Sequence, residues 1–371
     1  MSLNLSLLKA ICAAPGVSGY ERRIRDLIKK EVTPLVDEVQ VDNMGNLVAI
    51  RRGKTPKRVM VAAHMDEIGF IVNHVDEKGF VRFLPLGGFD PKTLTAQRVV
   101  VHGRQDVLGV MGSKPIHIMK SEERSKVVPL NDYFIDTGMT KEEVDKYVRI
   151  GDPITREREM TQLGDCVTSK SLDNRVSVFI LIETLRALKG QELPYDFYAT
   201  FTVQEEVGLR GAMGSVSHID PDFGLGLDVT IAYDVPGSTP QESVTTLGGG
   251  TAIKVLDGSV ISDYRMVNYL RELAKKENIK HQLELLPAGG TDTAAVQRYG
   301  HKGAVAGALS IPLRNMHQST EIVHTEDVRA TIDLLTAAIK ELASYDWSFD
   351  RDHGDERHPD RVSGGAGLDW M

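Results

Sequence analysis

Cysteine is nearly missing from this sequence: Cys12 and Cys166 are the only two in 371 residues. That count excludes a disulfide framework and a thiolate zinc cluster. Long apolar runs are missing as well. No stretch approaches the roughly 20 apolar residues that cross a bilayer. The opening MSLNLSLLKAICAAPG has no basic segment ahead of an apolar one. The expectation is a cytoplasmic protein with no membrane partner. Basic charge is in deficit, with 44 Lys and Arg against 52 Asp and Glu and a net charge of −8. Nucleic acid and anionic membranes need a basic face, so neither is expected as a partner. The charge says little about a small substrate, because a basic pocket can sit on an acidic protein.

What is present reads as an α/β protein with an interruption. A chain of this length exceeds one simple core and suggests two domains or a large insertion. Ser18 and Glu21 form a Ser-x-x-Glu capping box, and Ile24, Leu27, Ile28 and Val32 recur at helical spacing. Strands are expected at 39–41 and 47–50, and a buried strand, apolar on both faces, at 59–63. Between about 70 and 165 short β-type runs dominate, at 70–74, 79–84, 98–102 and 107–111, with one capped helix at 140–147. After Lys170 the α/β texture returns, with helices at 176–188, 264–276 and 328–342 and strands at 197–203, 223–227, 282–286 and 304–309. The organisation expected is a discontinuous domain, 1–68 and 166–345, a β-rich insert at 69–165, and a disordered tail at 346–371.

The chemistry-bearing residues share a position. His64 and Asp66, Glu205 and Glu206, Asp228 and His317 all follow strands, at the carboxyl end where open α/β sheets place ligands. Asp173 opens a helix. Each has a plain explanation alone: His64 as a loop histidine, Asp173 as an N-cap, Glu205-Glu206 as a solvated turn, Asp228 as a turn residue. Together they place too much negative charge at one sheet edge unless cations sit between them. Hard divalent ions with His and carboxylate ligands answer that problem. Asp66 is placed to take the proton of the other His64 ring nitrogen.

This order of residues resembles the tetrahedral metallo-aminopeptidases, which include the glutamyl aminopeptidases and the endoglucanase M-like zinc peptidases. The resemblance spans about residues 5–343. It includes Pro15-Gly16-x-Ser18-Gly19-x-Glu21, Ala63-His64-Met65-Asp66-Glu67-Ile68-Gly69, Gly87-Gly88-Phe89-Asp90 and Asp136-Thr137-Gly138. It continues through Ser171-Leu172-Asp173-Asn174-Arg175, Gln204-Glu205-Glu206-Val207-Gly208 and Gly289-Gly290-Thr291-Asp292. It implies a mixed-sheet aminopeptidase domain with an inserted small β-barrel-like domain for oligomerisation, assembling as a dodecamer or a dimer. It implies two divalent metal ions per subunit, zinc first, with cobalt or manganese open. Asp173 would bridge them, His64 and Asp228 would complete one site, and Glu206 and His317 the other. Glu205 would be the general base, Asp66 would orient His64, and Gly289, Gly290, Thr291 and Asp292 would line the cleft for short peptides. The run Arg314-Asn315-Met316-His317 departs from the family's usual setting, and His324 stays open as the last ligand.

The expected activity is metal-dependent release of amino-terminal residues from peptides. The alternatives are another two-metal amidohydrolase, a deacylase or carboxypeptidase, and a catalytically silent peptide-binding scaffold. The scaffold would need a broken ligand set, and none of the candidate ligands is broken.

Overall fold

The computed structural model describes residues 3–349. Its centre is an eleven-stranded mixed sheet. Four parallel strands lie in the middle, in the order Tyr195–Thr202, Thr55–His64, Phe223–Ile231 and Val305–Arg314. The hairpin Glu38–Val41 and Leu47–Arg51 extends one side. Beyond Val305–Arg314 come Glu321–His324, Cys166–Ser169 and Thr161–Leu163, with Thr251–Leu256 and His281–Leu285 branching from the same strand. The central strands are buried on both faces, which is why 59–63 reads as an unbroken apolar run rather than an alternating one.

Helices cover both faces. Leu172–Ala187 packs on one, its Val176, Phe179 and Ile180 fully buried with Val61, Ala63 and Leu225. Full burial of such side chains contributes about 1.5–3 kcal/mol each before entropy is charged against it. On the other face Arg210–Ile219 and Asp292–Arg298 close over Met60, Ala62 and Ala306. Gly226 permits that approach, since a Cβ there would meet Thr293 Oγ1 at 2.0 Å.

The stretch from Gly69 to Arg156 closes on itself as a six-stranded barrel: Gly69–Val75, Val81–Leu86, Phe134–Asp136, Asp106–Gly112, Arg98–His102 and Pro153–Arg156. Alternation along Asp106–Gly112 sends Val107 and Met111 inward and Leu108 and Val110 outward. Phe70, Phe83, Val99, Val101 and Ile135 fill the interior. Closure removes the exposed strand edges that a free sheet of this length would present.

Local signals were answered unequally. The Thr140/Glu143 capping box forms as written, with both reciprocal bonds in place. The Ser18/Glu21 box does not: the helix there runs Arg22–Val32 without a side-chain cap. The Ser18 hydroxyl instead donates to Asp66 at 2.6 Å, and Glu21 accepts from the backbone of Gly19 and Gln204. A buried tertiary carboxylate engages the hydroxyl that the local backbone N–H would otherwise use. Trp347, inside the expected tail, packs against Phe223, Tyr269 and Tyr345. The rest of that expectation, 350–371, lies outside the described residues.

Candidate metal centre

The strand register brings the candidates together. Thr202 pairs with His64, and Leu227 with Ala63. Asp228 therefore falls level with His64, and the chain carrying Glu205 and Glu206 leaves the sheet just above it. Asp173 enters from the first turn of Leu172–Ala187, where Asp173 and Asn174 are not helical. It caps nothing; its backbone N–H donates to Glu321 and its carboxylate turns to the imidazoles. His317 reaches in from the loop after Val305–Arg314, with its backbone in the left-handed region at φ 61°. Ser171 and Gln204, beside the other candidates, share that region at 55° and 54°. Non-glycine residues held there cost of order 1–3 kcal/mol each and concentrate at functional sites.

Two triplets result, His64 with Asp173 and Asp228, and Asp173 with Glu206 and His317, each with one ligand atom per residue mutually within 4.8 Å. Asp173 belongs to both. Its Oδ1 lies 3.3 Å from His64 Nε2 and its Oδ2 lies 3.3 Å from His317 Nε2. Glu205 stands outside both triplets, with Oε2 3.8 Å from His64 Nε2. His324 is elsewhere; its Nδ1 accepts from the backbone of Glu326 at the start of the last helix.

Ring orientation decides what the imidazoles offer. His64 Nδ1 lies 3.2 Å from the Asp66 carbonyl oxygen and 3.3 Å from its Oδ1. His317 Nδ1 lies 2.9 Å from the Gly88 carbonyl oxygen. A carbonyl only accepts, so both Nδ1 atoms carry protons, and each neutral ring turns an Nε2 lone pair toward carboxylates. Lone pairs facing carboxylates repel unless a cation lies between or the rings are protonated. The facing carboxylates favour the protonated form of both rings. Burial favours neutral His64, but Glu205, Asp173 and Asp228 outweigh it and hold its pKa well above the usual value. His317, also against burial, is raised to about 10 by Asp173 and Glu206.

The carboxylates are correspondingly strained. Burial, with Asp228 and Glu206 adding repulsion, pushes Glu205 well up. Burial and Asp173 do the same to Glu206, and burial raises Asp228. Asp173 is lowered despite burial, through its bonds to His317 and His64. Glu206 Oε1 is buried with no hydrogen-bond partner among the described residues. An orphaned carboxylate oxygen, all-N/O donors and a shortage of positive charge fit hard divalent cations.

A cavity of about 380 Å³ opens over the cluster, and Gly289, Gly290 and Thr291 line it. Asp292 does not: it is buried behind the loop, receives a hydrogen bond from Thr202, and burial pushes it to about 7. Residues that sequence reasoning missed stand around the cluster. Glu321 accepts the backbone N–H of both Asp173 and His317 and is pushed by burial and Asp173 to about 8. Lys254 lines the cavity wall, paired with Asp257 at 2.9 Å and Glu284 at 2.8 Å. Only Lys254 left a signal in the sequence, a charge inside the apolar run Ala252-Ile253-Lys254-Val255.

The comparisons with known proteins agree among themselves. The family model described as M42 glutamyl aminopeptidase matches residues 45–334. A lysyl aminopeptidase of Pyrococcus furiosus is 35% identical over 93% of this chain and 99% of its own length. Aminopeptidase APDkam598 from the archaeon Desulfurococcus kamchatkensis is 39% identical and superposes with a TM-score of 0.87, covering 91% of this chain and 94% of that one. The TET1 peptidase of Pyrococcus horikoshii, which can assemble into a tetrahedron or a large octahedral shell, is 33% identical with a TM-score of 0.83, covering 91% of this chain and 99% of that one.

Proposed function

The chain belongs to the M42 glutamyl aminopeptidases, metal-dependent peptide hydrolases, and on that premise we propose how this aminopeptidase arranges its site. His64, Asp228 and Asp173 would hold one divalent ion; His317, Glu206 and the same Asp173 would hold a second. The observation that carries this reading is the division of one carboxylate between two imidazoles at 3.3 Å each. Zinc is the proposed metal, with cobalt and manganese compatible with the same donors.

Ions bound there supply Lewis acidity toward the scissile carbonyl and lower the pKa of water toward neutrality. The protein's own groups do the rest. Glu205, on the cavity wall and outside both ligand sets, takes the proton from the attacking water and returns it to the leaving amine. Asp66 keeps the His64 proton on Nδ1, so that Nε2 stays a ligand. The free α-amine of the substrate needs an anchor here, which a bound ion or an acidic side chain would supply. A blocked amine forfeits it, and that makes the reaction exopeptidic. Gly289, Gly290 and Thr291 border the peptide.

The same reading extends to assembly and place. The barrel segment, 69–165, is the proposed surface for self-association into a dodecamer or a dimer, supported by the exposed Leu84, Leu108 and Val110 on it and by the shells of the TET1 relative. The cytoplasm is the proposed location; among the described residues no helix is long and apolar enough to cross a membrane. The deciding experiment is a panel of aminoacyl-anilides beside N-acetylated counterparts. Turnover of the free-amine set alone supports the aminopeptidase site. Release of acetate from the acetylated set would move the assignment to a deacylase.

A further inference from the structure

The two halves of the site are held in different ways. Side chains of His64, Asp173, Asp228 and Glu206 are buried, whereas His317 is 34% exposed at the rim. Its backbone also occupies the left-handed region. A half-buried imidazole at the rim, on a peptide in the left-handed region, has less packing to fix it than the other ligands, so polar contacts carry more of its positioning.

Three contacts do so. The His317 N–H donates to Glu321 Oε1 at 3.1 Å. Arg156 Nη1 donates to the His317 carbonyl oxygen at 3.0 Å. The ring Nδ1 donates to the Gly88 carbonyl oxygen at 2.9 Å. Two of these three partners belong to the barrel: Arg156 ends the strand Pro153–Arg156, and Gly88 follows Val81–Leu86. Arg156 is itself buried, its guanidinium 5.7 Å from the Phe89 ring, and Phe89 stacks on Phe70 of the barrel interior at 4.4 Å. The other oxygen of Glu321 accepts the Asp173 N–H at 3.0 Å. One carboxylate thus spans the shared ligand and the exposed one.

We propose that Arg156 and Glu321 are positioning residues for the Glu206/His317 subsite, so that the barrel sets the affinity of one metal position and leaves the other to the sheet. The proposal rests on the two-ion reading above. Its signature is asymmetry. Loosening the clamp lets His317 drift, while His64 and Asp228 stay where strand register puts them. Outer contacts of this kind are worth about 10–100-fold in metal affinity.

The test uses the full-length protein, stripped of metal and dialysed against buffered free zinc. Metal per chain is read by mass spectrometry, and circular dichroism and melting check the fold. Arg156→Met removes the donor and keeps the stem; Arg156→Lys keeps a cation and restores one N–H donor. The expected result for Arg156→Met is one ion retained at the wild-type zinc level and about 10–100-fold more free zinc needed for the second. Turnover should fall at limiting zinc and recover at saturation, with KM little changed. Arg156→Lys should recover part of the affinity. Glu321→Gln, which replaces a carboxylate that also holds the Asp173 N–H, should weaken this ion more than the other. If Arg156→Met fails to fold, Arg156→Lys decides on the same readouts. Folded variants that bind both ions like the wild type, or lose both together, would overturn the proposal. A wild type that never takes a second ion would instead overturn the two-ion reading.

Discussion

Glu205 and Glu206 are neighbours of one residue type, and the structure gives them different surroundings. Glu206 lies in a candidate metal triplet, with Oε2 3.5 Å from His317 Nε2. Glu205 lies in neither triplet. Glu205→Gln keeps the volume and leaves the backbone N–H bond to Asp66 intact, a bond of 3.0 Å that positions this loop. What it removes is the capacity to accept a proton. A general base contributes roughly 10²–10⁴ in rate, which at about 1.36 kcal/mol per tenfold is ~3–5 kcal/mol of transition-state stabilisation. The expected Glu205→Gln protein binds its metal fully and turns over about 10²–10⁴-fold more slowly. Glu206→Gln is expected to fail differently, with metal content lowered and part of the rate restored by added metal. The assay is steady-state hydrolysis of the best aminoacyl-anilide beside metal content by mass spectrometry. Metal loss in Glu205→Gln with metal kept in Glu206→Gln would exchange the two roles. Full activity in both would remove the pair from the reaction.

Other outcomes follow from the same geometry. Asp66→Asn weakens the hold on His64 Nδ1 and should cost about 10–100-fold in metal affinity; unchanged affinity would leave Asp66 a structural residue only. Phe70→Ala empties the middle of the barrel and should cost ~3–5 kcal/mol of stability, read from denaturant midpoints; a loss under about 1 kcal/mol would mean the interior collapses around the gap. Cys12 is buried, and burial pushes its thiol up to about 12; it should resist alkylation in the native protein at neutral pH and react in urea, and native-state labelling would contradict the packing of the first helix. Light scattering should find an oligomer, and a monomer at micromolar concentration would remove the barrel's proposed assembly role.

The parts legible in the sequence were those written in local patterns. A run apolar on both faces located the strand Thr55–His64, and its polar ending located His64 and Asp66. The long periodic helices Tyr264–Lys276 and Thr325–Glu341 were legible for the same reason. Arg210–Ile219 was not, because its buried side, Gly211, Ala212, Ser215, Val216 and Ile219, is built largely of small residues and its glycines lower helix propensity, so it is helical through packing rather than propensity. Glu321 and Arg156 were illegible for a stronger reason. Their partners are backbone groups of Asp173 and His317, 148 and 161 positions away respectively, and no side-chain pattern records a bond to a distant peptide. Ser18 and Glu21 mark the opposite case, a clear local motif whose atoms were drawn off to Asp66 and the Gln204 backbone.

The central claim is that the two triplets sharing Asp173 hold the ions on which hydrolysis depends. It is tested most directly by stripping the protein with chelator and returning zinc stepwise while metal per chain and hydrolysis of a free-amine anilide are followed together. The expected course is inactive protein without metal, activity returning as bound zinc rises to two per chain, and no such course in Asp173→Ala. Full activity in verified metal-free protein, or wild-type zinc uptake by Asp173→Ala, would contradict it.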